Sequence, residues 1–163
     1  MKLIRLVLIS LVFLFVLATL LGALLPSMVL VSRAVNINSS RDSIMPYVKD
    51  IRQWSEWIEG MQDTAVAIYS SSNAKLGGTN VVITDISDSA VVSAWTGRNG
   101  DLQTATIHLI GGQSQKLTIV QWQFEQKLKW YPWARLGSIM NDKILGTLME
   151  KNLNNLKQRV EKK

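Results

Sequence analysis

Residues 6–25, LVLISLVFLFVLATLLGALL, contain no charged side chain, and their polar content is Ser10 and Thr19. In a helix, twenty such residues rise about 30 Å at about 1.5 Å each, the thickness of a bilayer's hydrocarbon core. Backbone groups in lipid find no water, so a segment of this kind has to be helical. Pro26 then ends it. The alternative is a cleaved signal peptide, whose apolar stretch runs about 7–15 residues and closes on small residues. This run is longer, and Leu21-Gly22-Ala23 is a poor cleavage site. The sequence therefore predicts an uncleaved transmembrane anchor over residues 1–27, inserted through residues 6–25, ahead of one domain over residues 28–163. Lys2, Arg5 and the amino group precede the apolar run, and Arg33 and Arg41 follow it. The slight excess ahead of it favours an inside N-terminus and a domain on the extracytoplasmic side.

The formal charge of +6 is uneven. Residues 125–163 hold nine Lys/Arg and four Asp/Glu, against seven and eight in residues 33–124. The basic segment is interleaved with acids and lacks basic-aromatic motifs. It reads as a solvated helix face, and nucleic acid is not expected as a partner. Cysteine is absent, which excludes disulfides, thiolate metal sites and a cysteine nucleophile.

Beyond the anchor, VLVSRAVNIN (residues 29–38) alternates with a mostly apolar side and reads as a strand. Ser39-Ser40 offers N-caps for a short helix over RDSIMPYVKD, shortened or kinked by Pro46. IRQWSEWI makes a second short helix at best, with Ile51, Trp54, Trp57 and Ile58 on one face. From residue 64 the period becomes two. AVAIYS, TNVVITDIS, AVVSAWT, LQTATIHLI and QKLTIVQWQF read as strands. Asn73 to Gly78, Ser87-Asp88-Ser89, Arg98-Asn99-Gly100 and Gly111-Gly112 read as turns, so the strands form an antiparallel meander. Pro132 opens a long helix, whose apolar residues run Trp133, Leu136, Met140, Ile144, Leu148, Leu153, Leu156 and Val160 with one phase adjustment. Gly137 and Gly146 within it suggest close packing or a bend, since each costs about 1 kcal/mol relative to Ala. This order is α+β.

The order also resembles the START-like, Bet v 1-like superfamily (SRPBCC, polyketide cyclase/dehydrase-like), and within it membrane-anchored bacterial members. LLPSMVLVSRAVNIN resembles the anchor-to-first-strand junction, and SIMPYVKDIRQWSEW the first helices with their W-x-x-W. LGGTNVVITDIS is similar to the family's glycine-led strand, and KLTIVQW carries its T-x-V-x-W. WYPWARLGSIMNDKILGTLMEKNLNNLKQRVE resembles the closing helix. The resemblance implies a helix-grip fold, a curved antiparallel sheet wrapped on the long C-terminal helix, with a cavity between them for hydrophobic molecules such as lipids or polyketides. The segment between Tyr69 and Gly77 is shorter than the family pattern, which predicts six strands rather than seven and a changed pocket mouth.

No catalytic constellation is readable. His108 is the only histidine, in phase with Leu102, Thr104 and Thr106, whereas Ala105, Ile107 and Leu109 form the more apolar phase expected to face inward. Glu56, Glu59 and Asp63 read as loop charges. No metal spacing, phosphate loop or G-x-S-x-G motif is present, and no cofactor is expected. What remains is aromatic and aliphatic. Trp54, Trp57, Tyr69, Trp95, Trp122, Leu136, Met140 and Ile144 are the candidate ligand-binding residues. Of Trp54 and Trp57, one is expected to seal the core and the other to close the pocket mouth. Trp130, Tyr131 and Trp133, beside Lys127, Lys129 and Arg135, are candidates for a lipid interface. The first reading is a membrane-anchored domain that binds a hydrophobic or amphipathic small molecule. The second is a protein-interaction or stress-related module with a vestigial cavity, and the third a cyclase- or hydratase-type enzyme.

Overall fold

The structure, a computed structural model, describes residues 2–24, 26–111, 116–129 and 131–162, with the side chains of all but residues 2, 132 and 136–141. Four helices and seven strands lie among the described residues. Helix α1 (Lys2–Leu24) is the apolar run, almost wholly exposed and long and apolar enough to cross a membrane. After it come β1 (Met28–Ile37), α2 (Arg41–Lys49), α3 (Ile51–Trp54), β2 (Val66–Ile68), β3 (Asn73–Leu76) and β4 (Thr79–Ile86). The chain continues through β5 (Ala90–Thr96), β6 (Leu102–Ile110), β7 (Thr118–Lys127) and α4 (Pro132–Glu161).

All strands join one antiparallel sheet in the order β1-β7-β6-β5-β4-β3-β2. Strands β2 to β7 form the expected meander, and β1 closes on β7 with Val31 opposite Phe124, Arg33 opposite Trp122 and Ile37 opposite Thr118. The sheet is thus seven-stranded, not six-stranded. The additional strand is β3, in a segment that reads locally as a turn because Asn73 and Lys75 are exposed and polar. Its strand character comes from partners distant in sequence: Ala74 is fully buried and lies opposite both Ile68 and Val81. The turn itself is only Gly77-Gly78, and Gly77 has φ +60°, a conformation glycine adopts without steric cost.

Alternation along each strand buries one face of the sheet. Ala105, Ile107, Leu109, Val120, Trp122 and Phe124 point inward. His108 takes the opposite face of β6, between Ala90 and Gln121 on the neighbouring strands. Helix α4 crosses this inner face mainly over β1 and buries Met149, Leu153, Leu156 and Val160. At Gly146 the approach is close. A Cβ there would strike the Arg33 guanidinium, which passes the helix to reach Glu150 at 2.7 Å and Asp142 at 3.8 Å. Ser40 holds the N-cap position of α2, but its hydroxyl meets Ser43 Oγ at 3.0 Å instead of a backbone N–H.

Candidate functional site

The middle of the space between the sheet and the helices is occupied by rings. Trp54 and Trp57 are each only 1% exposed. Their position is fixed by the end of α2, whose last carbonyls have no partner within the helix. Trp54 Nε1 donates to the carbonyl of Val48 and Trp57 Nε1 to that of Tyr47, both at 3.0 Å. Two large apolar rings are thereby buried with their polar atoms satisfied. Asp50 starts α3 by accepting from the Arg52 backbone N–H at 3.0 Å. Its hydrogen bond to the Arg52 side chain holds the Asp50 carboxyl below the usual carboxylate range, against a smaller opposing effect of burial.

From these two indoles a chain of ring contacts crosses the sheet. Trp54 stacks on Trp95 at 6.1 Å, and Trp57 meets Trp122 edge-on at 5.5 Å. Phe124 joins Trp95 at 5.3 Å and Trp122 at 5.5 Å. Trp95 Nε1 donates to Ser93 Oγ at 3.0 Å, so this half-buried indole is also satisfied. Helix α4 clamps the segment after α3 that carries Trp57. Asn152 Oδ1 accepts from the Glu59 N–H at 3.0 Å, and Asn155 Nδ2 donates to the Trp57 carbonyl at 3.3 Å. Lys151 bonds Glu59 at 2.8 Å and Arg159 bonds Glu56 at 2.6 Å. Asp63 accepts from the Ala65 N–H at 3.1 Å. The carboxylates Glu56, Glu59 and Asp63 are therefore ties holding this segment, not a facing acid–base pair.

An apolar opening lies beside this ring cluster, on the side of α1. A groove of about 250 Å³ runs between α4 and the ends of β1, β6 and β7. Its walls are Val29, Val31, Phe124, Ile144, Leu145 and Leu148, and it also holds the side-by-side amides Gln103 and Gln126, directly paired across β6 and β7. These lining residues carry no titratable side chain. A larger depression of about 650 Å³ lies by α2 and the end of α4, lined by Ser39, Ser43, Pro46, Tyr47, Lys49, Asp50, Gln53 and Val160. It is the more polar of the two, and its Asp50 is already committed to Arg52. Among the described residues no cluster of His, Asp and Glu has a metal-binding arrangement.

The candidate residues thus separate. Trp54, Trp57, Trp95 and Trp122 come together in the ring cluster, which touches the groove through Phe124. Both Trp54 and Trp57 are sealed in, and neither lines the groove. Ile144 lines the groove and is 59% exposed. Tyr69 lies at the end of β2, far along the sheet order from β1 and β7, and is 66% exposed. The side chains of Leu136 and Met140 lie outside the described residues, as do Trp130 and Gly112. Gln103, Gln126, Val29, Val31, Leu145 and Leu148 are groove residues not singled out from sequence. The signal for Leu148 was present, because the apolar stripe of α4 breaks phase between Leu148 and Leu153.

No family model matches this chain, and no curated protein does. Solved structures do. The chain is similar to a START superfamily protein from Mycobacterium smegmatis at 18% identity and a TM-score of 0.59, covering 82% of this chain and 97% of that one. It is similar to the di-domain ARO/CYC BexL of the BE-7585A biosynthetic pathway at 13% identity and a TM-score of 0.60, covering 83% and 50%. It is also similar to DynU16 of the dynemicin biosynthetic locus at 14% identity and a TM-score of 0.59, covering 81% and 47%. The chain spans about half the length of the last two. At these identities the likeness is one of fold, and that fold is the START-like helix grip.

Proposed function

We propose that this protein is a membrane-anchored binding module that holds one lipid-like amphipathic molecule in the groove between α4 and the β1–β7–β6 end of the sheet. The supporting observation is the groove's composition: apolar walls with two neutral amides, as expected of a site for an apolar chain carrying a hydrogen-bonding head. Its volume argues for a slender ligand. Small-molecule pockets span about 300–1,000 Å³, so this groove suits a single chain better than a sterol or a fused polycycle. START-like and aromatase/cyclase-like neighbours are consistent with a bound hydrophobic molecule, but fold alone does not name it.

The anchor reading rests on α1, and the charge ahead of it favours an extracytoplasmic domain. Leu24 and Val29 are five residues apart, at most about 18 Å of chain, so the groove lies close to the bilayer when α1 spans it. The filled centre of the fold favours a second reading, an interaction module whose cavity is vestigial. A diazirine-bearing fatty acid, photolysed with the full chain in detergent micelles, separates the two. Binding in the groove gives adducts on peptides containing Val29–Val31 or Ile144–Leu148, lost in Leu148→Glu. Adducts confined to α1 would leave the interaction reading standing.

A further inference from the structure

Exposed apolar side chains gather where α1 meets the sheet. Met28 and Lys127 are paired on β1 and β7. Leu102 precedes Gln103, the partner of Gln126, and so occupies the same level on β6. Met28 and Leu102 are both more than half exposed. Lys129 pairs with Asp101, the neighbour of Leu102, and two residues further on Tyr131 stacks on Trp133 at the start of α4 at 4.9 Å, with Trp133 62% exposed. This rim is tied to the end of α1. Leu128 N donates to the Ser27 carbonyl and Arg135 Nη1 to the Gly22 carbonyl, both at 2.9 Å. Only the short stretch between Leu24 and Met28 separates helix from strand, so Met28 lies within about 14 Å of the helix end.

We propose that this rim is a second membrane contact. With α1 in the bilayer, Tyr131, Trp133, Met28 and Leu102 sit at the boundary of headgroups and acyl chains, and the domain lies against the lipid surface. The inference rests on the membrane reading of α1 but not on a ligand in the groove. Tyrosine and tryptophan favour this depth because one end of the ring is apolar and the other wet. Charge is secondary. Lys127, Lys129 and Arg135 are offset by Glu125 and Asp101, and Asp101 holds Lys129 at 2.9 Å. A surface contact with so little net charge depends on inserted rings rather than on anionic lipid.

The test uses the full chain reconstituted into vesicles of POPC, or of POPC with about one third POPG, containing lipid brominated near the top of the acyl chain. Flotation first reports whether the protein inserts. Bromolipid is expected to quench part of the tryptophan emission, equally in both compositions and in about 0.5 M NaCl. Trp133→Phe should remove half or more of that quenching, and Met28→Gln/Leu102→Gln should reduce it. Ile119→Ser on the opposite end of β7 should leave it unchanged. Quenching unaltered by Trp133→Phe in a folded protein would overturn the contact, as would quenching that needs POPG and vanishes in salt. Failure to float would overturn it together with the anchor, whereas flotation without quenching overturns the contact alone.

Discussion

Trp57 shows how a single residue couples local chemistry to the whole core. Its ring packs on Trp122, and its N–H donates to the Tyr47 carbonyl at the end of α2. Trp57→Ala is expected to destabilise by about 3–5 kcal/mol. Trp57→Phe keeps most of the ring contact but removes the hydrogen bond to the Tyr47 carbonyl, a loss of about 0.5–1.5 kcal/mol. Urea denaturation of the two variants separates packing from hydrogen bonding. Asp50 has a pH signature. Its folded-state carboxyl is depressed by Arg52, so its stabilisation is complete above the unfolded value near about 3.9 and is lost as pH falls through the lower folded value. The stability difference between wild type and Asp50→Asn should therefore shrink on acidification below about pH 4, read from urea midpoints across pH. The sequence showed that Trp54 and Trp57 share a side. It did not show their destination, because the carbonyls and rings that fix them belong to other elements.

The most informative element is α4. At 3.6 residues per turn, adjacent positions differ by about 100° around the axis. Met149, Leu153, Leu156 and Val160 keep one heading into the core and Leu145 packs at its edge, while Ile144 and Leu148 are displaced to the flank and line the groove. The break in phase was legible in the sequence. Its meaning was not, since periodicity locates a stripe but not the surface it faces. Met149→Ala is expected to cost about 2–5 kcal/mol, whereas Ile144→Ser should stay within about 0.5 kcal/mol. Thermal or urea unfolding distinguishes these sites directly, and equal losses would contradict the division of the helix. Strand β3 was illegible for the converse reason: with Ala74 its one buried residue, its partners and not its composition make it a strand.

At the scale of the molecule, the element order carried the fold from sequence to structure. The alternation of β4 to β7 and the length of α4 survive any small error at their ends. The binding region did not carry over as simply. Five bulky rings meet in the middle of the expected cavity and leave an apolar groove only beside them, on the side of α1, a result of packing across elements that pattern cannot sum. The core formed by the sheet, α2, α3 and α4 excludes α1, so residues 27–163 without it should unfold cooperatively as a soluble protein in calorimetry. Aggregation or a non-cooperative transition would make α1 part of the folding unit.

Occupancy of the groove by a lipid-like molecule is read out by native mass spectrometry of the full-length protein, gently extracted with mild detergent. A discrete added mass is expected on the wild type and absent from Leu148→Glu, while both proteins unfold at the same denaturant midpoint. A wild type that flies without any adduct, or an adduct equally retained by the groove variant, would contradict it.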